Sequence, residues 1–447
     1  MNFKKFVFLL LLLFLLIFSI SMEVQAAEFS RTGYKDVQAA EILKQIENGE
    51  DINLTKCRII GAVSLEGVEG LETVPNTRKV TSVPFEERLK VVKSSINIQD
   101  SIFEDYVDFS GASFKNAVSF EGTYFLSKSY FSSVDFNNIA DFRGSCFNDT
   151  AYFFGTDFIG NAYFGGARGV SYESMGRLLS PGAGATFDDN AEFTQSRFWN
   201  EAHFEFAHFN KADFVDTNFK DAYFIFSNFN GETHFDGSDF SNTAYFSSST
   251  FGNVAEFENS NFENVYMGNS KFKEINFLDA KFKTISLNNT NFEKIKVRWS
   301  SLENSLVFDG LTYVKLIQNF RSLEQFDDAD EAYYKYRSER QALKSWFSPS
   351  KWEDMFMCLT CGYGVKPFNT LFASAGVVSL FSLFYWKWGK IFFSDSFYFS
   401  LSTFIGFGSN DWHPKANFRK WVLLERLLGW LALGLFVVTL TKVMIRP

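Results

Sequence analysis

A phenylalanine returns every five or six residues along the middle of this chain, and few folds tolerate that spacing. A first block places Phe at 109, 114, 120, 125, 131, 136, 142, 147, 153, 158 and 164, steps that alternate five and six as an eleven-residue double repeat. A stretch rich in Gly and Ser interrupts it from 165 to 186. The ladder resumes at Phe187 and runs through Phe193, Phe198, Phe204, Phe209, Phe214, Phe219, Phe224 and Phe229. Beyond Phe262 the step is strictly five: Met267, Phe272, Phe277, Phe282, Leu287, Phe292, Val297. Phe alone accounts for 58 of 447 residues. A short fixed period over such a length is the mark of a stacked repeat, in which each unit buries its apolar face only against its neighbours.

A small residue usually stands two positions before each rung and Asp or Asn often directly before it, as in Ala-Asp-Phe214, Ala-Tyr-Phe224 and Ser-Asp-Phe240. This unit resembles that of the pentapeptide-repeat family, A-[DN]-[LF]-x-x, over about 190 residues. The resemblance implies a right-handed quadrilateral β-helix with one pentapeptide per face and four per coil. Rung and small residue would point inward at alternate positions and the rest would face solvent. Coils about 4.8 Å apart would stack some eight turns into a rod of roughly 40 Å. The six-residue steps add a residue at a corner, so two corners per coil should bulge. His203 and His208, just before Phe204 and Phe209, are candidate metal ligands, set against the plainer reading of a solvated surface. Some family members are acidic rods that bind topoisomerases, so DNA mimicry is a second role for the solenoid; the two ends of the chain speak against it.

Those ends are apolar. Lys4-Lys5, the run Phe6–Ile20 and Val24-Gln-Ala26 form a secretory signal peptide over residues 1–26, with an uncleaved anchor as the other reading. Residues 27–100 hold a short amphipathic helix, Val37–Asn48, stopped by Gly49 and followed by irregular coils, a cap for the solenoid of 101–298. Residues 299–365 become helical, with Tyr313–Glu324 and Ala329–Lys344 as a charged pair and Asp328 a candidate cap. Trp346, Phe347, Trp352, Phe356 and Tyr363 follow at the density of a membrane interface. Cys358 and Cys361 make half a zinc-knuckle spacing that nothing nearby completes.

Residues 366–447 hold two spans: Pro367–Trp386, twenty residues without a charge, and Trp421–Thr441, interrupted by Glu425-Arg426. Between them runs Ser400-Leu-Ser-Thr-Phe-Ile-Gly-Phe-Gly408. Span, helix, Gly-x-Gly, span resembles the pore of two-transmembrane potassium channels. The resemblance implies a re-entrant loop with Thr403, Phe404, Ile405, Gly406, Phe407 and Gly408 as filter, and Asp411 at the filter exit. Glycines let successive carbonyls face one axis and replace an ion's water shell. Read without gaps, Phe404 stands where the family carries its innermost Thr; read as an insertion, it leaves Ser402-Thr403 in that place. Ser409-Asn410 precede Asp411, where the family usually has Asp directly. Gly429 and Gly434 would bend the second span or admit close helix contact.

The expected fold is therefore a β-helix joined to an α-helical membrane domain. The expected function is an oligomeric cation channel of the cell membrane, homotetrameric by family analogy, with a permeant monovalent cation of potassium type and no other cofactor. The solenoid would be sensor, adaptor or vestibule for an unidentified ligand or protein. The competing class is a membrane-anchored β-helical rod whose channel-like module does not conduct. A signal peptide ahead of two spans places the solenoid outside the cytoplasm and the loop inside, an inverted pore that the basic loop (Lys387, Lys390, Lys415, Arg419, Lys420) favours; without export the conventional orientation returns. A net charge of -9 argues against nucleic acid. No nucleophile–base pair, metal cluster or phosphate loop suggests an enzyme, and no span carries the regularly spaced arginines of a voltage sensor.

Overall fold

The computed structural model describes residues 33–76, 88–165, 184–407 and 418–445. The signal segment, Gly408 and Asp411 lie outside the described residues. The chain divides into two compact units, Met1–Val307 and Phe308–Pro447.

The first unit is a β-solenoid of about 11 turns. Its strands are short and pair in parallel with the strand one turn away, apart from an antiparallel pair between Thr73–Pro75 and Arg88–Val92. Phe142, Phe147, Phe153 and Phe158 stack over Phe120, Phe125, Phe131 and Phe136. Four aromatic columns thus run through the core. Ring centroids lie 4.6 Å apart between Phe125 and Phe147 and 4.7 Å apart between Phe153 and Phe193, with the ring planes nearly parallel in both cases. That spacing is the inter-strand distance of a β-sheet, so the backbone ladder itself sets the stacking.

The two step lengths alternate because the solenoid has two kinds of corner. In the five-residue steps after Phe142 and Phe153 the chain makes a tight turn. Ser145 N–H donates to the Phe142 carbonyl at 3.1 Å, and Gly144 takes φ 64°. Elsewhere Asn259, Asn269 and Asn289 take that position, at φ 58°, 60° and 56°, as a turn with a left-handed third residue requires. The six-residue steps fall at the wider corner. There the register slips between Phe187 and Asn190, where one turn carries a residue more than the next.

The small inward residue follows the same alternation. Wide corners are usually followed by Ala, as at Ala140, Ala151 and Ala162, all fully buried, with Val118, Ser129 and Thr233 as exceptions. Most tight corners are followed by Ser or Thr whose hydroxyl donates to a rung carbonyl one turn back, with Ala112, Val134, Ala207 and Ala280 as exceptions. Ser145 reaches the Phe120 carbonyl at 2.7 Å, Ser238 that of Phe214 at 2.6 Å and Thr290 that of Met267 at 2.7 Å. Each of these carbonyls also accepts the N–H of its own tight turn, so the hydroxyl adds a bond that ties one turn to the next.

The solenoid is longer than the eight turns expected because it begins before the phenylalanines do. Lys35–Gln38 is already a strand, paired with Cys57–Ile60, so the expected helix is confined to α1 (Ala39–Asn48). Ile52, Ile59 and Ile96 occupy the core, with Ile59 opposite Phe103 and Ile96 opposite Val118. At the other end the four-residue helix α2 (Trp299–Leu302) buries Trp299 and Leu302.

The second unit is helical: α3 (Gly310–Ser322), α4 (Phe326–Ala342), α5 (Pro349–Cys361), α6 (Pro367–Gly389), α7 (Phe393–Ile405) and α8 (Arg419–Met444). Asp309 caps α3, accepting from the Thr312 N–H at 2.9 Å. Asp328 is not a cap; it lies in the first turn of α4, which starts two residues earlier at Phe326, and there its charge complements the helix dipole. Asp354 on α5 accepts from Arg337 at 2.7 Å and Lys344 at 2.5 Å, tying α5 to the end of α4. Burial works against its charge, but the two cations together hold Asp354 below the usual carboxylate range. Helices α6 and α8, of 23 and 26 residues, are long and apolar enough to cross a membrane.

Candidate functional site

The site is built on α7, the short helix between the two long ones. Its 13 residues rise about 20 Å, too little for a bilayer core of about 30 Å. Ser396, Phe399, Ser400 and Thr403 are buried, at helical spacing i, i+3, i+4, i+7, so one face packs on α6 and α8. The other face, with Phe397, Tyr398, Leu401 and Ile405, stays exposed. The helix stops at Gly406, whose φ of 92° takes the left-handed region, while its N–H donates to the Ser402 and Thr403 carbonyls at 3.1 Å. The Phe407 N–H donates to the Ser402 carbonyl at 3.0 Å. These bonds close the helix end and leave Phe407 86 % exposed.

The expected filter residues thus fall into two groups. Thr403 is buried and Phe404 half-buried on the helix, while Ile405 and Phe407 project outward around Gly406. Gly408 and Asp411 lie outside the described residues. Helix α8 runs unbroken through Gly429 and Gly434, and the two glycines differ. A Cβ on Gly429 would lie 1.9 Å from the Phe404 carbonyl oxygen, so Gly429 is where α8 admits the end of α7. Gly434 faces open space.

Sequence reading missed the polar cluster behind α7. Glu425, fully buried, accepts from the Tyr385 hydroxyl of α6 at 2.8 Å and bonds the Ser400 hydroxyl of α7. Glu425 and Gly429 are one helical turn apart on α8, as are Ser400 and Phe404 on α7, so the two contacts are in register. The only signal in the sequence was a carboxylate inside an apolar run, and its partners lie 40 and 25 residues away. Beside the cluster, Val378, Leu401, Phe404, Gly429, Trp430 and Phe436 line an apolar groove of about 530 Å³.

On the solenoid, His203 and His208 fall on strands of different sheets. Among the described residues no cluster of His, Cys, Asp and Glu is placed to hold a metal ion. His203 is sandwiched between Tyr163 and Tyr223, at 4.9 and 4.7 Å, and bonds Glu205 at 2.9 Å and Glu201 at 3.4 Å. Burial opposes its charge, but the two carboxylates outweigh it and raise its pKa above the ordinary imidazole value. Burial and the same acids push the Tyr223 phenol up to about 12. Cys358 and Cys361 are free thiols, facing the Tyr334 hydroxyl and the Met357 carbonyl.

A family model described as Pentapeptide repeats (8 copies) matches residues 200–231. This stretch of the solenoid is accordingly a run of pentapeptide repeats, and the columns described above carry the same architecture to either side of it. No curated protein matches the chain.

Proposed function

We propose that the chain is the subunit of an oligomeric membrane cation channel of potassium type, with four copies around one axis and the solenoid as sensor, adaptor or vestibule. The observation that carries this reading is α7 itself. A helix too short to span, packed between two that are long enough, ends at a left-handed Gly406 with Phe407 and then Gly408 beyond it. A chain that enters apolar surroundings and turns back must satisfy its backbone against protein or water. On this reading α7 is a re-entrant pore helix and its exposed aromatic face is covered by lipid or by further copies. The exposed Trp346, Phe347, Trp352 and Phe356 lie at the headgroups. The solenoid is a right-handed quadrilateral β-helix held outside the cytoplasm, the pore is inverted, and the chain has no enzymatic role.

Reconstitution of the full chain in planar bilayers tests this reading. The expected result is a cation current that Gly406→Ala and Gly408→Ala reduce at least tenfold, because a side chain there blocks the backbone angles needed. Absence of current, or current indifferent to both changes, overturns it. One observation favours a second reading, an anchored β-helical rod with a non-conducting module. The Phe404 carbonyl packs against Gly429, so one of the carbonyls the resemblance assigns to the filter is turned toward α8. The same recordings decide between the two.

A further inference from the structure

The hydrogen bonds around Glu425 do not close if its carboxyl is ionised. Three oxygens meet at Ser400 Oγ's position: the hydroxyl itself, Glu425 Oε1, and the Val378 carbonyl of α6 at 3.0 Å. A serine hydroxyl has one proton to donate. With an ionised Glu425 both neighbours are acceptors, and one of the two contacts lacks a hydrogen. With a proton on Oε1 every contact is met. Glu425 donates to Ser400, Ser400 donates to the Val378 carbonyl, and Tyr385 donates to Oε2 at 2.8 Å. The surroundings agree. Glu425 is fully buried, Ser400 is fully buried, and among the described residues no Lys, Arg or His forms an ion pair with it. The adjacent Arg426 of α8 is exposed, as is Asp395 at the start of α7. An unpaired charge inside a span is costly, whereas a neutral acid with all its bonds satisfied is not.

We propose that Glu425 is a neutral carboxylic acid and that, as a donor to Ser400, it is the residue that positions α7 between α6 and α8. One chain of bonds then links all three helices: α8 through Glu425, α7 through Ser400, α6 through Val378 and Tyr385. Gly429 sits one turn further along α8 and receives the Phe404 carbonyl, so position and angle of α7 are fixed at two points. What α7 does once positioned rests on the pore reading above; the bonding does not.

The test uses the full chain in lipid nanodiscs and compares wild type with Glu425→Gln and Glu425→Ala. Infrared difference spectra at neutral pH should show the carbonyl band of a hydrogen-bonded protonated carboxylic acid in wild type and lose it in Glu425→Gln. The glutamine supplies an N–H donor to Ser400 and keeps an acceptor for Tyr385. Amide exchange across Phe393–Ile405 should therefore stay near wild type in Glu425→Gln and rise about tenfold or more in Glu425→Ala. No acid band, or a Glu425→Gln variant as loosened as Glu425→Ala, overturns the proposal. If Glu425→Ala does not fold, the spectra and the exchange of Glu425→Gln against wild type still decide it. Bilayer recordings on the same samples separate the two readings. A silent wild type removes the pore and leaves the acid standing, whereas a conducting wild type without the band removes the acid and leaves the pore.

Discussion

Phe204 and Glu425 are both fully buried, and their neighbourhoods could hardly be less alike. Phe204 lies between Phe164 and Phe224, each 4.8 Å away, and those rings lie between others in turn. Its contacts are copies of contacts made up and down the solenoid. Glu425 has no copy: its bonds to Tyr385 and Ser400 occur once, and they join three helices. In the solenoid each turn answers only to its neighbours, so stability accumulates turn by turn and damage stays near its source. In the helical unit the Glu425 bonds and an apolar cluster of Phe381, Tyr385 and Phe399 hold three helices at one place, so a change there should reach a whole helix. Repetition makes a region robust, whereas a single junction concentrates the effect of a change.

The largest effect that bears on this contrast is expected at a rung. Phe204→Ala should cost about 4 kcal/mol, the range for emptying a buried aromatic site. Despite that size, amide exchange should quicken only in the turns next to residue 204. Loss of protection along the whole solenoid would show that the turns are not independent. Gly429→Ala should cost less, about 3 kcal/mol, because its new methyl must displace the Phe404 backbone rather than a flexible side chain. Yet its effect should spread over all of α7, read as faster exchange from Phe393 to Ile405 with the solenoid untouched. An unaltered α7 would mean that the two helices can separate without consequence.

The same contrast explains what was legible beforehand. The rungs from Phe109 to Val297 stand out because Phe recurs again and again at a spacing of five or six, and every assigned rung is buried save Phe282 and Phe292, which are partly exposed near the end of the stack. The first turns did not stand out, because Ile52, Ile59 and Ile96 do the work of Phe without its repetition. The Ala-versus-Ser/Thr alternation was visible as "small", but the reason for a hydroxyl is a carbonyl some twenty-five residues away. Glu425 showed only as a blemish in an apolar run. Its meaning depends on Tyr385 and Ser400, which no local pattern connects to it. Periodic structure can be read from a line of residues, and a junction of three elements cannot.

A smaller effect tests the hydroxyl ladder. Ser238 donates to the Phe214 carbonyl at 2.6 Å and accepts from the Thr217 N–H at 3.1 Å. Ser238→Ala should cost about 1 kcal/mol by removing both bonds and leaving the Thr217 N–H and the Phe214 carbonyl only their turn bond to each other at 3.2 Å. Ala244→Ser, at a wide corner where no hydroxyl is used, should gain nothing. Equal outcomes at the two corners, measured by denaturant unfolding, would show that the alternation is incidental.

The smallest effect concerns a column that stacks a histidine between two tyrosines. His203 stacks between Tyr163 and Tyr223 and bonds Glu205 and Glu201, which together hold its pKa above the unfolded value of about 6.5. A group that binds its proton more tightly when folded stabilises the fold in its protonated form. The contribution is therefore fully present below about pH 6.5 and is lost as pH rises through the folded value. Thermal unfolding of the solenoid should shift to lower temperature across that window, and His203→Gln should reduce the dependence by removing one titrating group. His234, which bonds Asp236 at 3.3 Å, is likewise held above the ordinary imidazole value and leaves a residual slope, so a pH dependence wholly unchanged in His203→Gln would place its source elsewhere. The column would then be stabilised by stacking alone, like the phenylalanines it runs beside, and the one feature that sets it apart from the repeating core would have no energetic weight.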